Sequence, residues 1–258
     1  MATTSIQFKA SPFASYLLRR ADDALILGHR LSEWCSRAPT MEEDMALANM
    51  GLDLIGQARA LYTHAAEIED AGHDEDQLAY LRDERAYGNL LLVEQPNGDF
   101  AQTMVRQFLY AAFIDPYWRL LTGSADATLA AIAAKAEKES AYHLRHSAEW
   151  VIRLGDGTAE SHRRARAAIA RLFPYTNEMF DVPADEDVLA AEGLVPDPAA
   201  LRAVWRDTVS DVLGRATLAL PEGGWMQSGG RDGRHSEHLG PLLAELQFLQ
   251  RSFPGATW

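Results

Sequence analysis

The stretch from residue 130 to residue 154 constrains the fold most, because it contains neither proline nor glycine. Nearly every residue in it is a good helix former. At 100° per residue, its apolar side chains fall on one side of a helix and most of its charged side chains on the other. Glu139 and His143 are exceptions, since they lie one turn apart at the edge of the apolar side. Burying both is costly unless they meet each other, a metal or another polar group.

Helical periodicity extends over most of the chain, and no run alternates between apolar and polar residues as a strand would. It predicts four long helices. The first covers residues 15–36, and the second runs from residue 41 to about residue 70, after a capping box at Thr40–Glu43. The third begins after Asp99, is kinked at Pro116 and ends at Gly123, and the fourth runs from Ser124 or Asp126 to Gly155. A helix or helical pair is predicted at 76–92, and further helices at 158–180, 197–219 and after Ser236, with at most a short one at 186–191. Four long helices with short connections favour an all-α bundle.

The chain has 258 residues, and no long linker divides it. We therefore expect one domain over residues 1–258, with about the first 12 residues flexible. A hydrophobic content of 47% fits a soluble protein with a sizeable core. No apolar run reaches the ~18 residues that span a bilayer, and no signal peptide is evident, so we expect a cytoplasmic protein. The formal net charge of −13 argues against binding to nucleic acid.

Two patterns concern the surfaces of the first two helices. The single cysteine, Cys35, falls on the apolar side of the first predicted helix and is interpreted as a small core residue. The second helix has small, amide and other polar side chains opposite its apolar arc, at Asn49, Asp53, Gly56, Gln57, Ala60 and His64. A solvated face would usually be rich in Lys and Glu. We expect this side to pack against another helix or another subunit.

A four-helix bundle with interior carboxylates suggests a di-iron site, which takes one Glu from each of two helices and Glu-x-x-His from each of the other two. The corresponding positions here are Glu33 on the first helix, Asp53 and Gly56 on the second, Asp115 on the third, and Glu139 and Tyr142, followed by His143, on the fourth. Gly56 has no donor atom, and Tyr142 stands where an imidazole is needed. Both nitrogen ligands are therefore missing, and the pattern indicates a degenerate site without metal ligands.

Two interpretations of the remaining polar residues stay open. The preferred one is structural: Glu33, Asp53, Asp115 and His143 satisfy one another by hydrogen bonds. The other is that Glu139 and His143 still chelate a metal, because residues four apart also share a helix face.

Other candidate sites are weaker. His235, Glu237 and His238 resemble a ligand cluster, but they stand at a helix start after a flexible loop, so capping and partner contact are favoured. Arg231 and Arg234 could meet a phosphate or a partner's carboxylate, although a plain surface loop is preferred. The tryptophans within helices are predicted to be core or interface residues: Trp34, Trp118, Trp150 and Trp205. No dinucleotide-binding motif, phosphate loop or nucleophile elbow is present.

Four long runs of this chain resemble the C subunits of bacterial phenylacetyl-CoA epoxidases, also called ring 1,2-phenylacetyl-CoA monooxygenases. The runs are LSEWCSRAPTMEEDMALANMGLDLIGQARALY (31–62), RDERAYGNLLLVEQPNGDFAQTMVRQF (82–108), KESAYHLRHSAEWVIRLGDGT (138–158) and GRHSEHLGPLLAELQFLQR (233–251). The resemblance extends over almost the whole chain except the first dozen residues.

This resemblance implies a ferritin-like four-helix bundle with additional C-terminal helices. It implies a structural subunit, without catalytic residues or cofactors of its own, that supports a homologous catalytic A subunit in phenylacetate catabolism. The A subunit would hold the di-iron centre and the substrate, and a small B subunit and an NADPH-dependent reductase would complete the complex. The residues leave two other hypotheses open: an oxidase that acts through its own di-metal site, and a stand-alone helical dimer.

Overall fold

The computed structural model describes residues 5–7, 10–69, 72–181, 183–184 and 186–256. These residues contain helices and connecting segments but no β-strand. The α-helices are α1 Pro12–Ser32, α2 Met41–Glu69, α3 Glu75–Tyr80, α4 Leu91–Glu94, α5 Phe100–Leu121, α6 Ala127–Gly155, α7 Ala159–Leu172, α8 Asp187–Ala191, α9 Arg202–Arg215, α10 Leu239–Leu246 and α11 Phe248–Ser252. The all-α prediction is confirmed.

The four long helices α1, α2, α5 and α6 form a ferritin-like bundle, as the sequence predicts. The α1 helix packs mainly against α2, α5 packs mainly against α6, and α2 also contacts α6. The α1 and α2 backbones approach closely where two glycines meet. A Cβ atom on Gly28 would lie 3.2 Å from the Gly51 carbonyl oxygen, and a Cβ on Gly51 would lie 3.2 Å from the Gly28 carbonyl oxygen. The absence of side chains here allows the two helices to pack tightly.

The α5 helix is the centre of the core. Nearly all of its residues are buried, because α6, α7 and α9 all pack against it. It runs through Pro116 without interruption. In the described part of the chain, no helix is both long and apolar enough to cross a membrane.

Three helix starts predicted from capping residues are confirmed. Asp99 accepts from the Gln102 backbone N–H, Asp126 from the Leu129 N–H and Thr158 from the Ser161 N–H. At the start of α2, the Thr40 hydroxyl accepts from the Glu43 N–H, but the Glu43 carboxylate binds His146 on α6. Half of the predicted capping box therefore forms, and its acidic side chain joins two helices.

Several predicted boundaries are wrong. The predicted helix or helical pair at 76–92 is three short pieces: α3, a 3₁₀ turn at Glu84–Ala86, and α4, which begins only at Leu91. The α1 helix ends at Ser32, so Cys35 lies beyond it and is exposed, not in the core. The predicted 158–180 helix ends at Leu172 and continues as two 3₁₀ turns, because Pro174 cannot donate to a helical carbonyl. The last helix begins at Leu239, not at Ser236, and is interrupted at Gln247. The predicted end of α2 near Asp70 falls on residues outside the described ones.

Candidate functional site

The α2–α6 interface, formed by facing polar residues of these two helices, contains most of the positions singled out in the sequence. His143 Nε2 donates to Asp53 Oδ2 at 3.1 Å, and Gln57 Nε2 donates to Glu139 Oε2 at 2.9 Å. The His143 side chain is 2% exposed and that of Asp53 35%, so each pair joins a buried group to one that reaches solvent. The predicted hydrogen bond between Asp53 and His143 is therefore confirmed. The expectation that this side of α2 packs against a helix also holds at Gln57 and His64, which are buried.

Two more imidazole–carboxylate pairs lie along the same interface. His146 Nε2 lies 2.9 Å from Glu43 Oε2, and His64 Nε2 lies 2.9 Å from Asp126 Oδ1. Burial lowers the pKa of His146, although Glu43 opposes this effect. Helical spacing does not reveal Glu43 and His146 as a pair, because they are 103 positions apart in the sequence. These hydrogen bonds link α2 to α6 at four points along their interface.

The other predicted positions do not join this interface. Glu33 is 43% exposed and pairs with Arg30 Nη1 at 2.7 Å. Asp115 pairs with Arg119 on its own helix at 2.8 Å, and burial raises its pKa although Arg119 opposes this effect. The predicted network of Glu33, Asp53, Asp115 and His143 is therefore wrong except for its central pair. Helical periodicity places a residue on a face but does not determine its height along the bundle, and nearby arginines bind both outlying carboxylates.

The remaining positions offer no metal ligand. Gly56 faces open space, since a Cβ there would meet nothing within 4 Å. Tyr142 is 36% exposed, and its ring lies against that of His146 with the centroids 5.8 Å apart. Among the described residues, no three His, Cys, Asp or Glu side chains come close enough to hold a metal ion. The donor set does not fit the metal pair that such a fold can hold, because a di-iron site needs four carboxylates and two imidazoles.

A second polar region, which we call the buried ionic network, was missed as a unit by sequence reasoning. It joins α1 to the segment at 82–95 and to the loop at 229–238. The Arg231 fork binds Asp23 (Nη2–Oδ2 2.7 Å), and Arg82 binds Asp22, with Nη1 3.2 Å from Oδ2. Arg231 was predicted to lie in a surface loop, but its side chain is only 6% exposed. The backbone of this loop lies against the segment at 82–95 because glycine allows a close approach: a Cβ on Gly230 would lie 2.3 Å from the Asn89 carbonyl oxygen.

The carboxylates of this network and the nearby Glu178 also accept hydrogen bonds from backbone N–H groups that have no partner within a helix. Gly88 N–H donates to Asp22 Oδ2 at 2.8 Å, Leu90 N–H to Asp23 Oδ1 at 2.7 Å and Leu91 N–H to Glu178 Oε2 at 2.9 Å. Burial raises the pKa of Glu178, although hydrogen bonds from the Leu91, Gly229 and Arg231 N–H groups and the charge of Arg231 oppose this effect. A buried non-helical segment needs such acceptors, because unpaired N–H groups are costly. The adjacent acids Asp22 and Asp23 in an apolar helix were the available sequence signal.

His235 forms the last part of the network, and it is not the capping or partner-contact residue that the sequence suggested. Its Nδ1 lies 3.0 Å from Glu94 Oε2, its Nε2 lies 2.9 Å from the Tyr87 carbonyl oxygen, and its side chain is fully buried. Both partners only accept hydrogen bonds, so the ring is held as an imidazolium. Burial alone would lower its pKa, but the hydrogen bond and the charge of Glu94 outweigh it and raise the pKa.

The tryptophans contribute to packing, as predicted. Trp118 and Trp205 are buried, and Trp34 and Trp150 are partly buried with their rings at right angles to Phe100.

Comparison with known proteins agrees with this fold. The family model described as phenylacetic acid catabolic protein matches residues 2–258. The chain belongs to the phenylacetic acid catabolic protein family. It is also 49% identical over 244 residues to the C subunit of the 1,2-phenylacetyl-CoA epoxidase of Escherichia coli (strain K12). The alignment covers 95% of this chain and 98% of that relative, so this member of the phenylacetic acid catabolic protein family matches its relative along nearly the full length of both.

Proposed function

We propose that this chain is the structural, non-catalytic subunit of a multicomponent di-iron oxygenase that epoxidises the aromatic ring of phenylacetyl-CoA. In this role it binds a homologous catalytic subunit and supports its helices. The di-iron centre belongs to that partner, and electrons from NADPH reach it through a reductase. The complex also contains a small further subunit.

The main support is the state of the α2–α6 interface. The two positions that need imidazoles for iron hold Gly56 and Tyr142. The nearby carboxylates already have partners inside the chain, because Asp53 binds His143 and Glu139 binds Gln57. In this bundle the carboxylates and imidazoles bind each other. It therefore has the fold of a di-iron oxygenase subunit but not the ligands that such a subunit needs to bind iron. The similarity to a protein named as an epoxidase subunit supports the same role.

An exposed apolar face on α2, which we call the docking face, fits a subunit of a complex. Met41 is 77% exposed, Met45 61% and Leu52 66%, and their spacing places them on one side of the helix. A groove of about 300 Å³ continues this face between α2 and α6, with Gly56, Ala60 and Ile132 among its lining residues. Exposed contiguous apolar surface marks interaction sites, so we assign this face to the catalytic partner.

Co-expression with the catalytic homologue tests both parts of the proposal. We expect the two chains to co-purify as a stable complex, with iron in the complex and less than about one-tenth of an iron or manganese per chain in this chain alone after metal loading. Leu52→Asp should abolish co-purification, whereas Leu249→Asp, at a 47% exposed site on α11, should not. Failure to co-purify at low salt would refute the structural role, and a full metal pair in the isolated chain would show an oxidase of its own.

A further inference from the structure

A cavity outside the α2–α6 interface has the features of a ligand site. It lies between α9, the 3₁₀ turns at 173–180 and the loop at 220–226, and its volume is about 420 Å³. None of its lining residues belongs to the docking face or to the α2–α6 interface. Small organic ligands bind in cavities of about this size, which are lined by apolar groups and a few polar ones.

Part of the floor of this cavity is apolar and fixed in place. Phe180 and Trp205 are both buried, and their rings pack edge to face with the centroids 5.5 Å apart. Trp205 Nε1 donates to the Leu109 carbonyl oxygen of α5 at 3.0 Å, and Phe180 packs against Phe113 of the same helix. Because the central helix holds both aromatic rings, the floor is preformed and does not need a ligand to assemble it.

Two guanidinium groups stand one turn apart on α9 and line the same cavity. Arg202 lies over the Phe180 ring, 4.6 Å from its centroid, and its Nη1 donates to Asn177 Oδ1 at 2.7 Å. These contacts fix its orientation. Arg206 forms no hydrogen bond or ion pair with any described residue. Most arginines in the described part of the chain form ion pairs with carboxylates, whereas Arg206 does not, so its guanidinium donors are available to an anion in the cavity.

The mouth of the cavity is formed by a turn that only glycine favours. Gly223 has φ +69° and Gly224 has φ +117°, and a Cβ on either would meet nothing within 4 Å. Their backbone N–H groups have no acceptor among the described residues, so they remain available at the rim. Glu222 also lines the cavity and adds one negative charge. Trp225 comes directly after Gly224 and is 75% exposed.

From these features we infer that the cavity binds a small amphipathic anion. An aromatic or similar apolar body would lie on the floor of Phe180 and Trp205, and its carboxylate or phosphate monoester would bind Arg206 beside Arg202. A charge-assisted hydrogen bond to a guanidinium suits both anions, so the ligand class is defined by one apolar group and one anionic group. This inference does not depend on the proposed function, because the site shares no residue with the docking face.

Binding to the full-length chain can be measured by calorimetry and by tryptophan fluorescence, because Trp205 lines the cavity. Trp225→Phe shows how much of the fluorescence change comes from Trp225. Phenylacetate and phenyl phosphate are the two anionic probes, 2-phenylethanol is the neutral one, and inorganic phosphate has the charge without the ring. We expect saturable binding of at least one anionic probe, and binding at least about fivefold weaker for both controls. The stronger anionic probe identifies the carboxylate or the phosphate as the preferred group.

Variants of the charged residues separate a specific site from general attraction. Arg206→Gln should weaken the binding of the anionic probe about fivefold or more, and Glu222→Gln should strengthen it. Arg215→Gln is the matched control, since Arg215 lies on the same helix, is exposed and pairs with Asp211 at 3.7 Å. Circular dichroism would verify that each variant is folded. Equal binding of 2-phenylethanol, no saturable binding of any anionic probe, or equal effects of Arg206→Gln and Arg215→Gln would overturn the inference.

Discussion

The α2–α6 interface and the buried ionic network both place charged groups inside the protein, but with different chemistry. At the interface, imidazoles and amides bind carboxylates that partly reach solvent, such as Asp53. In the network, guanidinium groups bind carboxylates that are almost completely buried, such as Asp22 and Asp23. The first arrangement resembles the polar centre of a metalloprotein without its ligand set. The second joins segments that are far apart in sequence, so we expect it to control stability.

The largest effect should follow from breaking the network. Arg82→Met leaves the Asp22 carboxylate, 1% exposed, without its cation, and removing one partner of a buried pair costs about 3–5 kcal/mol. We expect urea denaturation to show a loss of this size in the free energy of unfolding. Arg153→Met breaks an exposed pair with Glu149 and should cost no more than about 1 kcal/mol. Similar losses for the two variants would show that the network does not control stability.

The same contrast explains what the sequence predicts. The interface was partly found because Asp53, Glu139 and His143 stand at helical spacing beside apolar arcs, and periodicity identifies such positions. Even there, the assumed grouping with Glu33 and Asp115 was wrong, because periodicity does not reveal the arginines that bind them. The contact between Asp23 and Arg231 joins residues 208 positions apart, and no local pattern predicts it.

A smaller loss of stability should follow from breaking the interface. His143→Leu removes the hydrogen bond to Asp53, whose carboxylate is 35% exposed and can be hydrated instead. We therefore expect a cost of about 1–2 kcal/mol in the free energy of unfolding, below that of Arg82→Met. The neighbouring variant Tyr142→Leu, at an exposed position, should stay within about 0.5 kcal/mol of the wild type. A loss for His143→Leu as large as that for Arg82→Met would remove the distinction between the two regions.

The pH dependence of stability should also differ between the regions. The pKa of His235 is raised in the folded protein, so His235 stabilises the fold. Its contribution to the free energy of unfolding is fully present below the pKa of the unfolded side chain, about 6.5, and is lost as the pH rises through the folded pKa. The pKa of His146 is lowered in the folded protein, so the unfolded side chain binds a proton at a higher pH than the folded one. The free energy of unfolding therefore decreases as the pH falls below the unfolded pKa. Thermal melts between pH 5 and pH 9 should show that His235→Gln lowers the melting temperature most at the acid end. In His146→Gln, the melting temperature should fall less on acidification than it does in the wild type. The opposite order would refute the imidazolium assignment of His235.

The smallest effect is expected from restoring the two missing imidazoles. The variant with both Gly56→His and Tyr142→His should fold with nearly wild-type stability, because Gly56 faces open space and Tyr142 is exposed. It should still hold less than about one-tenth of an iron per chain, since Glu33 and Asp115 are paired elsewhere and cannot complete the ligand set. Elemental analysis after anaerobic iron loading measures this, with wild-type protein as the control. Stoichiometric iron in the double variant would mean that the interface lost only two ligands. An absence of iron would mean that the whole site no longer has the geometry of a metal site, because its residues pair α2 with α6.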